Sequence, residues 1–404
     1  MATALVIVLD AVGLSTLHYL LENYNGHVEI PNLARLGLGR LLPRDRWDQF
    51  GKPRPDKVYG SLNQASASAD SVVGHREMVG IIDHRTYDLF PTGFPQEYIA
   101  ALEQAIGHKT MYNSMGGGTQ VVREHGHQCA MSGRPIVYSS KCDPLIQIAA
   151  DKAAIPLEEQ HQIAEIALKL ALKMGIRINR AIARPFYRTA DGSYERDDVG
   201  RHDAVLPIAG PTLVELLRER DIWTTAVGKV SDLVTVKFDD VLKGRNSAWL
   251  DPRLDLQFAD PDKRDTNPYN VQWIFNALSA ARYFYRPNGT FIFANLVDTD
   301  TIFGHTRDIE GALRSLMAFD RALPFLQRQL TRRDLLIITA DHGMEHRSDY
   351  GYHSLEPLPL LAERIGGNVD MPDSPADLTM VGAIVARFFG CQDEFQGGIT
   401  HIRA

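Results

Sequence analysis

Asp334-Leu-Leu-Ile-Ile-Thr-Ala-Asp-His-Gly343 is a short run of mostly apolar residues that ends in a carboxylate, an imidazole and a glycine. So brief an apolar run between polar and glycine boundaries suits an interior strand of a parallel sheet, and open α/β sheets carry their chemistry just beyond such strand ends. Two other stretches are built alike. Ala4-Leu-Val-Ile-Val-Leu-Asp10 ends in Asp10, and Thr290-Phe-Ile-Phe-Ala-Asn-Leu-Val-Asp298 is followed by Asp300 and His305, with His353 further on. A single Asp after a strand is most simply a helix cap. Taken together, the carboxylates and imidazoles from separate strand ends form the donor set of a divalent-metal site, because hard oxygen and borderline nitrogen suit manganese, zinc or related ions.

The chain has 404 residues, enough for a large core and a second domain, and its apolar fraction of 44% and charged fraction of 23% are ordinary for a globular protein. Lys and Arg total 43 against 50 Asp and Glu, a net charge of −7. That balance argues against a nucleic-acid binder relying on bulk charge, while leaving room for a local basic pocket that holds a phosphorylated small molecule. Cys129, Cys142 and Cys391 are odd in number and unpaired in spacing. A disulfide framework or cysteine-zinc site is therefore not expected, and a reducing cytoplasm fits. No apolar stretch reaches the roughly 18 residues of a membrane span, so the expectation is a cytoplasmic protein without a membrane partner.

Along the chain, Ile30-Pro-Asn-Leu-Ala-Arg-Leu-Gly-Leu38 has a Pro entry and Gly exit, which predicts a short helix. Residues 43–60 read as a surface loop. Ala65-Ser-Ala-Ser-Ala-Asp-Ser-Val-Val-Gly-His-Arg-Glu-Met78 predicts a helix start with Ser68 or Asp70 as cap. A hydroxyl placed there meets open backbone N–H groups and the positive end of the helix dipole, which favour a phosphoryl group. The character of the chain shifts between 89 and 209. Here a helix is expected near 96–106, a tight turn at Met115-Gly-Gly-Gly-Thr119, and an amphipathic helix over 157–174 covering a small sheet. His125 and His127 have no companion carboxylate and read as surface-loop histidines. Further on, helices are expected near 212–219, 270–284, 308–330 and 380–389, with a strand at 223–227.

Asp10, Asp300 with His305, Asp341-His342 and His353, in this order, resemble the two-metal set of the alkaline-phosphatase superfamily, and the closer likeness is to the phosphopentomutase family. Asp70-Ser-Val-Val-Gly-His-Arg-Glu77 resembles that family's Asp-Thr-x-Thr-Gly-His-Trp-Glu signature, whose first Thr is the phosphorylated nucleophile. Ser71 falls on that Thr, and Arg76 stands where the signature has Trp. The resemblance implies an α/β fold: an alkaline-phosphatase-like core with a central, mostly parallel sheet over 1–88 and 210–404, and a smaller inserted α/β cap over 89–209. It implies one metal held by Asp300, His305 and His353, and another held by Asp10, Asp341, His342 and the Ser71 oxygen.

Ala183-Arg-Pro-Phe186, Gly200-Arg-His-Asp203 and Val227-Gly-Lys229 resemble segments that grip the sugar 5-phosphate, which assigns that role to Arg184, Arg201 and Lys229. Tyr138-Ser-Ser-Lys-Cys-Asp-Pro-Leu-Ile-Gln-Ile-Ala-Ala150 resembles the run that contacts sugar hydroxyls, with one extra residue before Asp143. The implied activity interconverts ribose 1-phosphate, and the deoxy sugar, with the 5-phosphate through a phosphoserine and a bisphosphate intermediate. Its implied cofactors are two divalent ions, Mn2+ first with Zn2+ or Mg2+ as alternatives, and a sugar bisphosphate activator. Rival readings are a phosphomutase or phosphotransferase for another small phosphorylated metabolite, a metal-dependent phosphatase, and a catalytically silent sugar-phosphate binder.

Overall fold

The computed structural model describes residues 2–46, 50–54, 57–197, 199–208, 210–244, 250–254, 265–348 and 350–395. The chain divides into two compact units, Met1–Arg85 with Ile208–Ala404, and Thr86–Pro207. The first unit opens with strands β1 (Thr3–Leu9) and β2 (Val58–Leu62). The inserted unit carries β3 (Met111–Met115), β4 (Ile136–Ser139), β5 (Leu145–Asp151), β6 (Arg180–Arg188), β7 (Tyr194–Arg196) and β8 (His202–Val205). The first unit then resumes with β9 (Trp223–Val227), β10 (Asp240–Leu242), β11 (Thr290–Leu296), β12 (Leu335–Thr339), a hairpin of β13 (Gly343–Glu345) and β14 (Tyr352–Ser354), and β15 (Leu358–Arg364).

The main sheet of the first unit runs β10-β9-β11-β1-β12-β15-β2. All pairs from β10 to β12 are parallel, and β15 is antiparallel to both β12 and β2. Every residue of β1, β11 and β12 is buried, as expected of central strands covered by helices on both faces. Val8 pairs with Asn295 on one side and with Thr339 on the other. This register brings the carboxyl ends of the three strands level, so Asp10 and Asp341 leave the sheet side by side. Asp334 anchors the opposite end, its carboxylate accepting from Thr3 N at 2.7 Å and Thr331 N at 2.6 Å. At the far side of the sheet, Lys57 Nζ donates to Glu363 Oε1 at 2.5 Å and Gln327 Nε2 donates to Glu363 Oε2 at 2.9 Å. This buried pair fastens β2 to β15.

In the inserted unit, β3-β4-β5-β6-β7 form a mixed sheet, with β8 also on β6. The helices Gln96–Ile106 and Leu157–Lys173 share its core through Tyr98, Leu102, Ile163 and Ala167. The segment read from sequence as a tight turn and surface loop is different. A 15-residue helix, Gly118–Ser132, begins within the glycine run, and His125 and His127 lie on it. Its buried stripe of Val121, Val122, Gly126 and Cys129 has helical spacing, which the poor helix formers of its first turn conceal. Among the described residues no helix is long and apolar enough to cross a membrane.

Candidate metal centre

Ser71 is the first residue of the helix Ser71–Met78, and Asp70 is its cap, with Oδ1 accepting from Val72 N at 2.8 Å. The cap fixes the helix start, so the Ser71 side chain projects from the first turn. Its Oγ donates to Asp10 Oδ1 at 3.1 Å and lies 3.1 Å from His342 Nε2. The second Asp10 oxygen accepts from Asn295 Nδ2 at 2.8 Å. Asp341 Oδ1 accepts from the backbone of Ala11 and of His342, both at 3.1 Å.

Gly74 permits this packing, because a Cβ there would sit 2.4 Å from the Asp341 carbonyl oxygen. His75 Nδ1 lies 2.8 Å from the Ser71 carbonyl and 3.2 Å from Asp341 Oδ2. Asp341 Oδ2 is fully enclosed and, apart from the His75 ring at 3.2 Å, has no hydrogen-bond partner among the described residues.

Asp300 occupies the short helical turn Asp298–Thr301 after β11. Its Oδ1 lies 3.2 Å from His353 Nε2 and 3.4 Å from His305 Nε2, while His305 Nδ1 is held by the Gly351 carbonyl at 2.8 Å. The rings of His342 and His353 are 4.2 Å apart, and those of His353 and His305 are 5.1 Å apart. Within the first unit, two tight donor groups result among the described residues, Asp10 with Asp341 and His342, and Asp300 with His342 and His353. The sequence reading gave His342 to one metal alone, whereas its ring stands within both groups.

The electrostatics favour a cation. Burial, with Asp341 and Asp300 nearby, pushes the Asp10 carboxyl above its ordinary range. Burial opposes ionisation of Asp300 as well, yet His305, His353 and His342 hold it well below that range. Asp341 is likewise held down at about 2 by His342 and His75 against its burial. Burial opposes a charge on His342, but Asp341, Asp10 and Asp300 outweigh it and raise its pKa well above 6.5. Converging carboxylates out of water require compensating positive charge, and the open lone pairs of Asp341 Oδ2 supply a place for it. The residues present therefore fit divalent cations.

Three of the other residues singled out in the sequence, Arg184, Arg201 and Asp143, belong to the inserted unit. In the inserted unit, Arg184 Nε donates to Gln147 Oε1 at 3.0 Å, and burial with Arg201 and Arg196 nearby lowers its pKa to about 10. Arg201 forks onto Asp203 at 2.6 and 2.5 Å. Asp143 accepts from Arg180 at 3.0 Å and from Ser140 Oγ at 2.7 Å. Lys229 belongs to the first unit, where it follows β9 and opens the helix Val230–Val234. His75, Asn295 and Arg196 were not singled out. The first two stood inside quoted motifs, but their roles arise from pairing across the sheet, which no local spacing reveals.

Donors of this kind at the carboxyl edge of this sheet fit a metal-dependent enzyme on an α/β core, and the relatives make it a metal-dependent phosphotransferase. The Metalloenzyme superfamily model matches residues 274–392, which include every ligand candidate beyond β11. The phosphopentomutase of Caldanaerobacter subterraneus subsp. tengcongensis is 33% identical over 95% of this chain and 93% of its own. That of Dictyoglomus thermophilum is 34% identical over 98% of this chain and 97% of its own. The chain belongs to the phosphopentomutase family. Among solved structures, the phosphoglycerate mutase of Leishmania mexicana aligns with a TM-score of 0.49 and 13% identity, covering 100% of this chain and 98% of that one.

Proposed function

We propose that the protein interconverts ribose 1-phosphate and ribose 5-phosphate, and their deoxy counterparts, using phosphorylated Ser71. The observation that carries this reading is the Ser71 hydroxyl, fixed at a helix N-terminus 3.1 Å from both Asp10 Oδ1 and His342 Nε2. Phosphoserine 71 donates its phosphoryl group to the free sugar hydroxyl, whose proton is released, and a pentose bisphosphate forms. The bisphosphate turns end for end and returns its other phosphoryl group to Ser71, so the enzyme ends as it began.

Two divalent cations, Mn2+ on this reading with Zn2+ or Mg2+ as alternatives, would be held by Asp10, Asp341, His342 and Ser71, and by Asp300, His305 and His353, and would neutralise charge on the phosphoryl oxygens. Arg184, Arg201 and Lys229 bind the phosphate that is not reacting, and Asp143 orients a sugar hydroxyl. A sugar bisphosphate primes the serine. Cys129, Cys142 and Cys391 are buried and outside any disulfide, which accords with a cytoplasmic location.

A substrate screen with intact-mass detection tests the reading. Ser71→Ala is expected to lose both the added phosphoryl mass and turnover, and retained turnover would reject Ser71 as nucleophile. The rival, a mutase for another small phosphorylated metabolite, is motivated by Arg76 and the longer Asp143 loop. Inactivity on both pentose phosphates with turnover of a different phosphorylated metabolite would favour it. Phosphate release without isomerisation would indicate a phosphatase.

A further inference from the structure

The family signature carries Trp where this chain has Arg76, and the substitution is buried rather than surface. Arg76 lies in the nucleophile helix with 4% exposure. Enclosing a guanidinium is costly unless its N–H groups are satisfied. Its Nε donates to the Leu233 carbonyl at 3.1 Å, and one terminal nitrogen donates to Thr235 Oγ1 at 2.9 Å. Both acceptors close the short helix that Lys229 opens.

That helix, Val230–Val234, has five residues, and a helix of that length has little stability of its own. Its carboxyl-terminal carbonyls lack partners within the helix, and Arg76 satisfies one of them. The next residue, Thr235, is β-branched yet adopts a left-handed φ of +59°, a strained conformation that needs outside support. The Arg76 bond to its hydroxyl provides it. At the other end, Gly228 (φ +74°) packs so closely that a Cβ would lie 2.6 Å from the Asn295 carbonyl. Between these anchors, Leu233 N donates to the Lys229 carbonyl at 3.1 Å. A continuous path therefore runs from the Ser71 helix through Arg76 and Leu233 to the Lys229 backbone.

We infer that Arg76 is a positioning residue that sets Lys229, and hence the grip on the substrate phosphate, relative to the Ser71 nucleophile. This rests on the mutase reading for the role of Lys229. A tryptophan indole could donate one hydrogen bond, whereas the arginine fork holds two acceptors at once.

The test is a double-mutant cycle on the metal-loaded full chain, with Arg76→Lys, Lys229→Ala and the pair, using ribose 5-phosphate. Arg76→Lys keeps the charge and loses the fork. It should raise KM about tenfold with kcat within about twofold, and add less than about twofold when Lys229 is already Ala. Thr235→Val, a milder change that removes only one acceptor, should shift KM the same way and also be cancelled by Lys229→Ala. Additive effects in both backgrounds, or a loss of kcat at unchanged KM, would overturn the inference.

Calorimetric binding of ribose 5-phosphate to the same proteins separates the two readings. A chain that binds the sugar without interconverting it rejects the mutase activity, while the same cycle in Kd still decides Arg76. No binding at all rejects both.

Discussion

At the scale of single residues, the centre turns on buried carboxylate oxygens with lone pairs left open. Asp341 Oδ2 is buried beside Asp10 and His342 and, His75 at 3.2 Å aside, has no hydrogen-bond partner among the described residues. Asp341→Asn removes the charge and keeps the shape. Elemental analysis should show the loss of at least one metal equivalent per chain, with turnover reduced about a thousandfold or more. Full metal content in that variant would show that Asp341 is not a ligand. His346 shows the same cost of burial without the chemistry.

The His346 ring stacks 5.7 Å from Tyr19, its Nδ1 has no hydrogen-bond partner among the described residues, and burial holds its pKa at about 4. An unfolded chain with an ordinary imidazole binds the extra proton between pH about 6.5 and about 4. Stability should be full above that window and fall by about 3 kcal/mol as pH drops through the whole of it. His346→Phe should flatten the change in urea midpoint between pH 7 and 5, and an unchanged slope would assign the acid sensitivity elsewhere. Asp341 and His342 were legible in the sequence because an apolar strand ends on them. His346 was not, since its burial depends on a ring from the first helix.

At the scale of elements, the nucleophile helix is fixed by its cap and by a glycine. Asp70→Ala removes the bond to Val72 N and should destabilise the protein by about 1 kcal/mol, measured by chemical denaturation. Gly74→Ala would bring a methyl to 2.4 Å from the Asp341 carbonyl oxygen and 2.8 Å from its Cβ. Neither contact can yield without moving the ligand, so metal affinity and turnover should fall together, whereas wild-type metal affinity would show the backbone adapts.

Here the sequence spoke clearly where a pattern was local. The strands ending at Asp10 and Asp341 and the helices near 96–106 and 157–174 announce themselves by apolar period and by turn residues. The helix Gly118–Ser132 was concealed because glycine and threonine begin it, and its placement comes from packing on the sheet rather than from propensity.

At the scale of the whole molecule, the ligands come from β1, the turn after β11, the end of β12 and the hairpin strand β14. Cations bridging these elements would bind only the folded chain. Saturating Mn2+ at about a thousandfold over Kd should add about 4 kcal/mol of stability, and EDTA should lower Tm and abolish turnover together. An unchanged Tm would argue against a metal spanning the sheet. Lys57→Met leaves Glu363 enclosed without its cation, at 7% side-chain exposure, and should cost about 3 to 5 kcal/mol, read from denaturant midpoints.

The central position of β1 also governs how the molecule is made. Its two neighbours, β11 and β12, are made long after it, so β1 waits through the synthesis of the whole inserted unit and much of the first before it is enclosed. During that interval the inserted unit can collapse on its own local pairings, while β1 remains uncovered and aggregation-prone. Holding chaperones should therefore associate with nascent chains until about the Asp341 codon has passed, and release them soon after.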